Sequence, residues 1–229
     1  MNIKRYISLI ILTNLLICNI HSAIADDHVS ALVKKDHQKL SRGQCTADRE
    51  WIEVTGLNSV KAENRINHWI RRKLTVGKKL KQADCSAAEG LGFQIYNNKA
   101  ELTGQSRELM GVQVHIAFRS GGYPSVFREC ATFLKDSGNT IDLNEYFRKD
   151  KLEELRENVC QSEKDSPSPL CDNTNDRDAH SPFMFCVGNE GINAYMPGWH
   201  TEEVGYTIPA ANISKYFNFS PKMSRLFTY

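Results

Sequence analysis

The stretch Val112-Gln113-Val114-His115-Ile116-Ala117-Phe118-Arg119 decides the fold class of this chain. Its even-numbered residues are all apolar, and its odd-numbered residues are mostly polar. Because successive side chains of a β-strand point to opposite faces of the sheet, this period of two predicts a strand with one dry and one wet face. His115 lies on the wet face, where we interpret it as a solvated histidine rather than a catalytic one.

Turn residues before and after this strand predict an antiparallel meander. Asn97-Asn98, Gly104-Gln105-Ser106 and Gly121-Gly122-Tyr123-Pro124 have turn chemistry and separate short runs of strand-forming residues. Since short turns join antiparallel neighbours, we expect consecutive strands to pair with each other. The predicted strands are 51–54, 91–96, 100–103, 112–118, 126–134, 183–187, 192–195 and 206–208.

Two segments have helical periodicity instead. Asn58 or Ser59 can cap a helix whose apolar residues fall on one face. Asp150 can cap a second helix through Asn158, with Glu153 placed to complete a capping box. We therefore predict an α+β fold with an antiparallel sheet of about six strands, two main helices and stabilising disulfides. The apolar face of the first helix consists of Ala62, Ile66, Trp69, Ile70 and Leu74.

The beginning of the chain has the pattern of a secretory signal peptide. Lys4 and Arg5 precede an apolar run at 6–20, and Ala23-Ile24-Ala25 follows with the small-x-small pattern of a cleavage site. Polar residues interrupt the run, which is shorter than the about 20 apolar residues of a membrane span. We expect a periplasmic or secreted mature chain without a membrane anchor. The predicted organisation is a signal peptide at 1–25, a partly helical or loose arm at 26–49, and one domain at 50–229 with a long loop at 161–182.

Cleavage would remove Cys18 and leave six of the seven cysteines. An even count in an exported chain indicates disulfides, and zinc spacings such as C-x-x-C do not occur. We therefore expect neither a metal site nor a cofactor. The predicted elements favour the pairs Cys45–Cys85, Cys160–Cys171 and Cys130–Cys186, with Cys160–Cys186 and Cys130–Cys171 as an open alternative.

The formal net charge of the mature chain is near zero. Removing Lys4 and Arg5 takes two of the 29 basic side chains and leaves them equal in number to the 27 acidic ones. Such a chain has no overall field that attracts nucleic acid or anionic lipid. The local basic stretch at 71–81 fits a solvated helix end better than a site for an acidic partner or glycan.

Catalytic motifs are absent from the sequence. There is no G-x-S-x-G, no H-E-x-x-H and no P-loop, so we predict no catalytic residues. His200, Glu202 and Glu203 could carry acid–base chemistry, but we interpret them as a solvated loop. Residues 172–178 resemble the start of a calcium loop, yet Arg177 replaces the required glycine, and we interpret the segment as polar and metal-free.

Gly121, Gly122 and Tyr123 are the candidate ligand-binding residues. Two glycines between strands permit positive φ and a close backbone approach, as a hairpin turn or a ligand-contacting loop needs. The hairpin turn is the simpler interpretation. In the other, Tyr123 is an aromatic anchor for a partner.

Four segments resemble the RsiV-like family. They are 62–70 with its Ile66-Asn67, 120–124 with its Gly-Gly, 138–147, and 206–209 with the helix that follows. Members of this family include extracytoplasmic lysozyme-sensing anti-sigma factors, and the domain also accompanies cell-wall deacetylases. Tyr123-Pro124 stands where the family usually has Ala-His, so a role of that histidine is not carried over.

The resemblance implies an exported binding protein that does not act as an enzyme. Its expected partner is an envelope protein such as a muramidase, or peptidoglycan itself, which makes the chain an inhibitor, a sensor or an immunity factor. The alternative is a peptidoglycan-processing enzyme or an accessory domain of one, with His200, Glu202 and Glu203 as its site.

Processing is directly testable. We expect N-terminal sequencing of exported material to begin at Asp26, because Ala23-Ile24-Ala25 precedes the charged pair Asp26-Asp27. A mature N-terminus at Cys18, or an uncleaved chain recovered with membranes, would contradict the expected compartment.

Overall fold

A computed structural model describes residues 29–39, 45–79, 81, 94–120, 124–162, 183–196 and 204–228. Nine strands in these segments form two sheets. The strands are β1 (Ser30–Lys39), β2 (Cys45–Thr55), β3 (Gln94–Gln105), β4 (Leu109–Ser120), β5 (Pro124–Leu134), β6 (Thr140–Ile141), β7 (Met184–Val187), β8 (Gly191–Met196) and β9 (Val204–Pro209).

The α-helices are α1 (Val60–Lys73), α2 (Leu152–Ser162), α3 (Ile213–Tyr216) and α4 (Pro221–Ser224). Short 3₁₀ segments lie at Leu143–Tyr146, Lys149–Lys151, Ala210–Asn212 and Arg225–Phe227. The predicted α+β class is therefore confirmed, with α1 and α2 as the two long helices. No helix among the described residues is long and apolar enough to cross a membrane.

The main sheet has the order β1-β2-β3-β4-β5-β6. Its neighbours are antiparallel except for β2 and β3, which pair in parallel through Cys45–Glu50 and Gln94–Lys99. A parallel pair needs a long crossover connection, and α1 lies in the segment that joins these two strands. The sheet is thus a meander with one β-α-β unit at its start.

Two local predictions were wrong. Residues 30–39 form the edge strand β1 rather than a helical or loose arm. Asn97-Asn98 is not a turn, because β3 runs through both residues, which pair with Ala117 and Ile116 of β4. Pairing along a long neighbouring strand outweighs the turn preference of two asparagines.

Helix α1 covers one face of the main sheet and forms the first core. Ser59 caps the helix by accepting a hydrogen bond from the Ala62 N–H at 3.2 Å. Four of the five predicted apolar residues of this helix are buried, and Trp69 is half-buried. Each fully buried aliphatic side chain contributes about 1.5–3 kcal/mol through the hydrophobic effect. The sheet side of this core is formed by Ile52, Val54, Ala100, Met110, Val112, Val114 and Phe133.

Asn67 fixes α1 to the sheet through the backbone of Val54. Its Oδ1 accepts from the Val54 N–H, and its Nδ2 donates to the Val54 carbonyl, both at 2.8 Å. The pairing of β2 with β3 ends at Glu50. The Asn67 amide therefore satisfies a backbone unit that β3 does not reach.

The second sheet, β7-β8-β9, packs across the opposite face of the main sheet near Thr103 and Thr132. Thr103 Oγ1 donates to the Val187 carbonyl at 2.6 Å, and Thr132 Oγ1 accepts from the Val187 N–H at 3.1 Å. A Cβ atom on Gly111 would lie 2.0 Å from the Val187 carbonyl oxygen, so only glycine permits this approach.

A disulfide joins the two sheets. Cys130 of β5 and Cys186 of β7 are bonded, with 5.8 Å between their Cα atoms, which confirms the predicted pair. The alternative that joins Cys160 to Cys186 is therefore wrong. Cys160 is also disulfide-bonded, to a different cysteine.

A second core fills the space between the small sheet, α2 and the C-terminal segment. Leu155 and Val159 of α2, and Ile192 and Ile208 of the small sheet, are fully buried in it. Aromatic rings continue this core with centroid distances of 4.7–5.7 Å, and they belong to Phe147, Phe185, Phe217, Phe219 and Phe227.

Replacing Asn67 tests how α1 is held. We expect Asn67→Ala to lower the free energy of unfolding by about 2–4 kcal/mol, because it removes two hydrogen bonds and leaves backbone groups of Val54 unpaired. Urea denaturation measures the change. Asn64→Ala on the exposed side of the same helix is the control, and an equal loss in both variants would contradict the role of Asn67.

Candidate functional site

The face of the main sheet opposite α1 carries a group of charged side chains. Val112 and Val114 of β4 point into the first core, so His115 points to the other face. The register places Lys99 of β3 and Arg128 of β5 on either side of His115. Glu101 lies on the same face, two residues from Lys99.

Glu101 is the centre of this group. Its Oε2 lies 2.6 Å from Lys99 Nζ, and its Oε1 lies 3.3 Å from His115 Nε2. Arg128 and Tyr195, from β5 and β8, both interact electrostatically with Glu101. We call Lys99, Glu101, His115, Arg128 and Tyr195 the Glu101 cluster.

Charges around Glu101 keep it ionised. Partial burial opposes the charged form, but the hydrogen bond and charge of Lys99, together with His115, outweigh burial and hold the pKa of Glu101 below its ordinary value. His115 behaves in the opposite sense. Burial first, and then the charge of Arg128, lower the pKa of His115, and Glu101 offsets them only in part. The imidazole is therefore neutral at pH 7.

Arg128 and Tyr195 are partly buried as well. Burial lowers the pKa of the Arg128 guanidinium, which stays a cation because arginine does not deprotonate in proteins. Burial raises the pKa of Tyr195, whose hydroxyl accepts a hydrogen bond from Asn193 Nδ2 at 3.2 Å. Tyr195 is thus a neutral phenol beside a guanidinium and a carboxylate.

This arrangement has two chemical capabilities. It presents fixed donors and acceptors of both signs on a rigid sheet, which suits recognition of a polar partner. A neutral imidazole beside a carboxylate can also accept a proton from a substrate. Metal binding has no support within the described residues, where no group of three or more His, Cys, Asp or Glu side chains is placed to hold an ion.

Gly121, Gly122 and Tyr123 lie outside the described residues. The strands around them are described, and β4 and β5 pair as antiparallel neighbours up to Arg119 and Pro124. The loop therefore joins the two strands that carry His115 and Arg128. His115 is four residues before Arg119, a distance of about 13 Å along the strand.

Other predicted residues also fall outside the described part of the chain. They are Cys85, Cys171, residues 172–178, His200, Glu202 and Glu203. Cys45 begins β2, but its side chain is not described. In the basic stretch, Arg71 pairs with Glu53, and Lys73 pairs with Glu129 at 2.5 Å.

Four members of the cluster were not predicted from the sequence: Lys99, Glu101, Arg128 and Tyr195. The alternation of residues 112–119 places His115 on the polar face, but it does not reveal which residues of β3 and β5 lie beside it. Because Asn97-Asn98 was predicted to be a turn, the register of Lys99 and Glu101 against β4 could not be predicted. Tyr195 comes from a separate sheet, and no local pattern predicts that contact.

Comparison with known proteins provides a fold likeness only. No protein-family model matches the chain, and no curated protein sequence matches it. A DUF3298 family protein from Bacteroides fragilis NCTC 9343 is similar in structure, with a TM-score of 0.58, 11% sequence identity, and coverage of 87% of this chain and 96% of that one. A DUF3298 family protein from Pseudomonas aeruginosa PAO1 has a TM-score of 0.54 and 11% identity, with coverage of 86% and 97%. The chain therefore shares the fold of DUF3298 family proteins.

The pKa of His115 predicts a pH dependence of stability. Because it is lowered in the folded protein, the unfolded chain binds the proton more readily, and stability is lost as the pH falls from the unfolded value near 6.5. We expect His115→Gln to reduce this loss by up to about 1.4 kcal/mol per pH unit, the limit for one proton.

Urea denaturation at several pH values between about 7.5 and 5 measures the effect of His115. The carboxyl of Glu154, whose pKa Lys215 and then Lys151 lower to about 2, titrates far below this window. His68→Gln on the exposed side of α1 is the matched control. If the free energy of unfolding of His115→Gln changes with pH as it does in the unaltered protein, the prediction is wrong. The imidazole of His115 would then titrate alike in the folded and unfolded states.

Proposed function

We propose that the chain is an exported, non-enzymatic binding protein of the cell envelope that inhibits or senses a muramidase or another wall-degrading enzyme. The observation that carries this proposal is the agreement of two likenesses. Four sequence segments resemble the RsiV-like family, and the fold matches DUF3298 family proteins, which is consistent with an RsiV-like domain.

The disulfide supports the compartment. Cys130 and Cys186 join two separate sheets, and such structural bonds persist in oxidising compartments outside the cytosol. An exported chain meets the envelope and the enzymes that degrade it. The signal peptide predicted at 1–25 agrees with this location.

The Ile66-Asn67 pair gives the resemblance a physical basis. Ile66 is fully buried against the sheet, and Asn67 binds the backbone of Val54. These two residues hold α1 in place, so a family that keeps this pair would keep the same docking of helix on sheet. Likeness in this segment therefore supports likeness in fold, whereas the partner is inferred by analogy.

We place the partner contact at the end of the β4–β5 hairpin. Tyr123 supplies an aromatic anchor, and the Glu101 cluster supplies polar groups on the adjoining sheet face. The members of the Glu101 cluster lie on strands of the two sheets, so little conformational entropy is lost when they bind.

One observation favours a second candidate function. The imidazole of His115 is neutral, and its Nε2 lies 3.3 Å from the Glu101 carboxylate. A histidine in this state can act as a general base. A peptidoglycan-processing enzyme would use such a pair. This candidate requires turnover, which a binding protein does not show.

Stoichiometric inhibition tests the binding function. We expect the oxidised mature chain to inhibit one member of a panel of purified muramidases in a wall-lysis assay, with inhibition complete near one equivalent. Tyr123→Ala should weaken the inhibition about tenfold or more, as loss of an aromatic anchor does. Leu32→Ala, which removes an exposed apolar side chain from the opposite edge of the sheet, is the control.

The same preparation decides between the two functions. Multiple-turnover release of peptidoglycan fragments by the chain alone, lost in His115→Ala, would establish the enzyme and reject the inhibitor. Absence of both turnover and inhibition across the panel would reject wall-degrading enzymes as the partner.

A further inference from the structure

We propose that the outer face of α1 is a docking surface for a linear, phosphate-bearing polyanion. Lys61, Arg65, His68 and Arg72 are spaced by four, three and four residues, so they form one line along the helix. All four are exposed. We call them the basic stripe, and its length is about 17 Å at 1.5 Å per residue.

Among the described residues, nearby carboxylates do not neutralise the basic stripe. Arg71 and Lys73, beside it on the same helix, pair with Glu53 and Glu129. In the part of the chain that the structure describes, no carboxylate forms an ion pair with a residue of the stripe. Glu63, in the first turn of α1, instead accepts from the Leu57 N–H at 2.8 Å. The positive charge of this face is therefore available to a partner.

Arg65 is held in position before any partner arrives. Its Nη1 donates to the Ser137 carbonyl at 3.0 Å and to Asn139 Oδ1 at 2.6 Å. The turn that offers these acceptors lies close to α1, because Gly138 has a φ of 68° and a Cβ there would lie 2.7 Å from the Ala62 carbonyl oxygen. A fixed guanidinium loses less entropy when it binds an anion.

A shallow depression accompanies the stripe. It has a volume of about 630 Å³, and the described residues that line it include Val60 and Asn64 together with Lys61, Arg65 and His68. Val60 is 68% exposed. The surface therefore offers an apolar contact and an amide beside the line of cations, in a recess where a polymer chain can lie.

The arrangement fits a polymer better than a membrane. An amphipathic helix binds a lipid surface by inserting its apolar face, but Ile66 and Ile70 of α1 are fully buried against the sheet. A single line of cations matches a chain whose charges follow one another. Arginine binds phosphate and carboxylate oxygens as a fork, and lysine is a common phosphate ligand that binds as a point charge. We assign phosphate, and a carboxylate polymer serves below as the comparison that tests this choice.

This binding is separate from the proposed inhibition of a wall-degrading enzyme. The stripe lies on the helix that covers the other face of the main sheet from the Glu101 cluster. A protein with both surfaces would be retained on an anionic envelope polymer while its hairpin stays available. Either activity can fail without the other.

Salt dependence of binding tests the stripe. The probe is long-chain inorganic polyphosphate, titrated with the oxidised mature protein at a series of salt concentrations. Three permanent cations predict a slope of roughly −2 to −3 in log K against log salt, since each neutralised charge contributes about 0.7 to 0.9. Lys61→Gln with Arg72→Gln should lower the affinity about 25-fold, at about fivefold per charge.

Matched controls make the test specific. Lys222→Gln with Arg225→Gln removes the same charge from exposed positions near the C-terminus and should leave the affinity unchanged. Equal losses in the two double variants, or a slope near zero, would overturn the docking surface. Equal affinity for poly-glutamate would overturn the assignment to phosphate. Binding to phosphatidylglycerol vesicles without binding to polyphosphate would assign the face to a membrane instead.

Discussion

The hydrogen bonds between the Asn67 amide and the backbone of Val54 are the constraint on which the architecture depends. Strand β2 loses its partner β3 after Glu50, yet Ile52 and Val54 beyond that point are buried in the first core. β1 still pairs along one side of β2, but on the side that β3 leaves open the backbone N–H and C=O of Val54 would be unpaired in an apolar environment. Each unpaired group costs about 1–3 kcal/mol. Asn67 supplies both missing partners from the helix.

This contact also sets where the helix lies. Once Asn67 is fixed over Val54, Ile66 and Ile70 meet the sheet, and Leu74 reaches the core at the end of the helix. Arg49, almost fully buried, continues the attachment by donating to the carbonyl of Leu74 at 3.2 Å. The parallel crossover from β2 to β3 is therefore held at the middle and at the C-terminal end of α1. The outer side of α1 faces solvent.

Part of this structure could be predicted from the sequence. The difference between the predictable and the unpredictable elements has a physical cause. The strand at 112–119 and the apolar face of α1 were predictable, because each element carries its own periodicity. The strand β1 was not, since all of its residues after Val33 are charged or polar and form a strand opposite β2, where Lys35 meets Glu50 at 2.7 Å. The Glu101 cluster was hidden for the same reason. Its members meet through register and through a second sheet, which no single segment encodes.

The main sheet divides the molecule into two chemically different sides. On one side α1 packs on the sheet residues of the first core and presents a row of cations to solvent. On the other, the small sheet packs near Thr103 and Thr132, where glycine, hydroxyl and disulfide contacts permit a close approach. The rest of that face keeps Glu101, His115 and Arg128 partly buried and electrostatically coupled. Because coupled charges on a rigid sheet cannot relax independently, a partner that displaces water there would meet a fixed pattern of charge, and this favours selective recognition over adaptable contact.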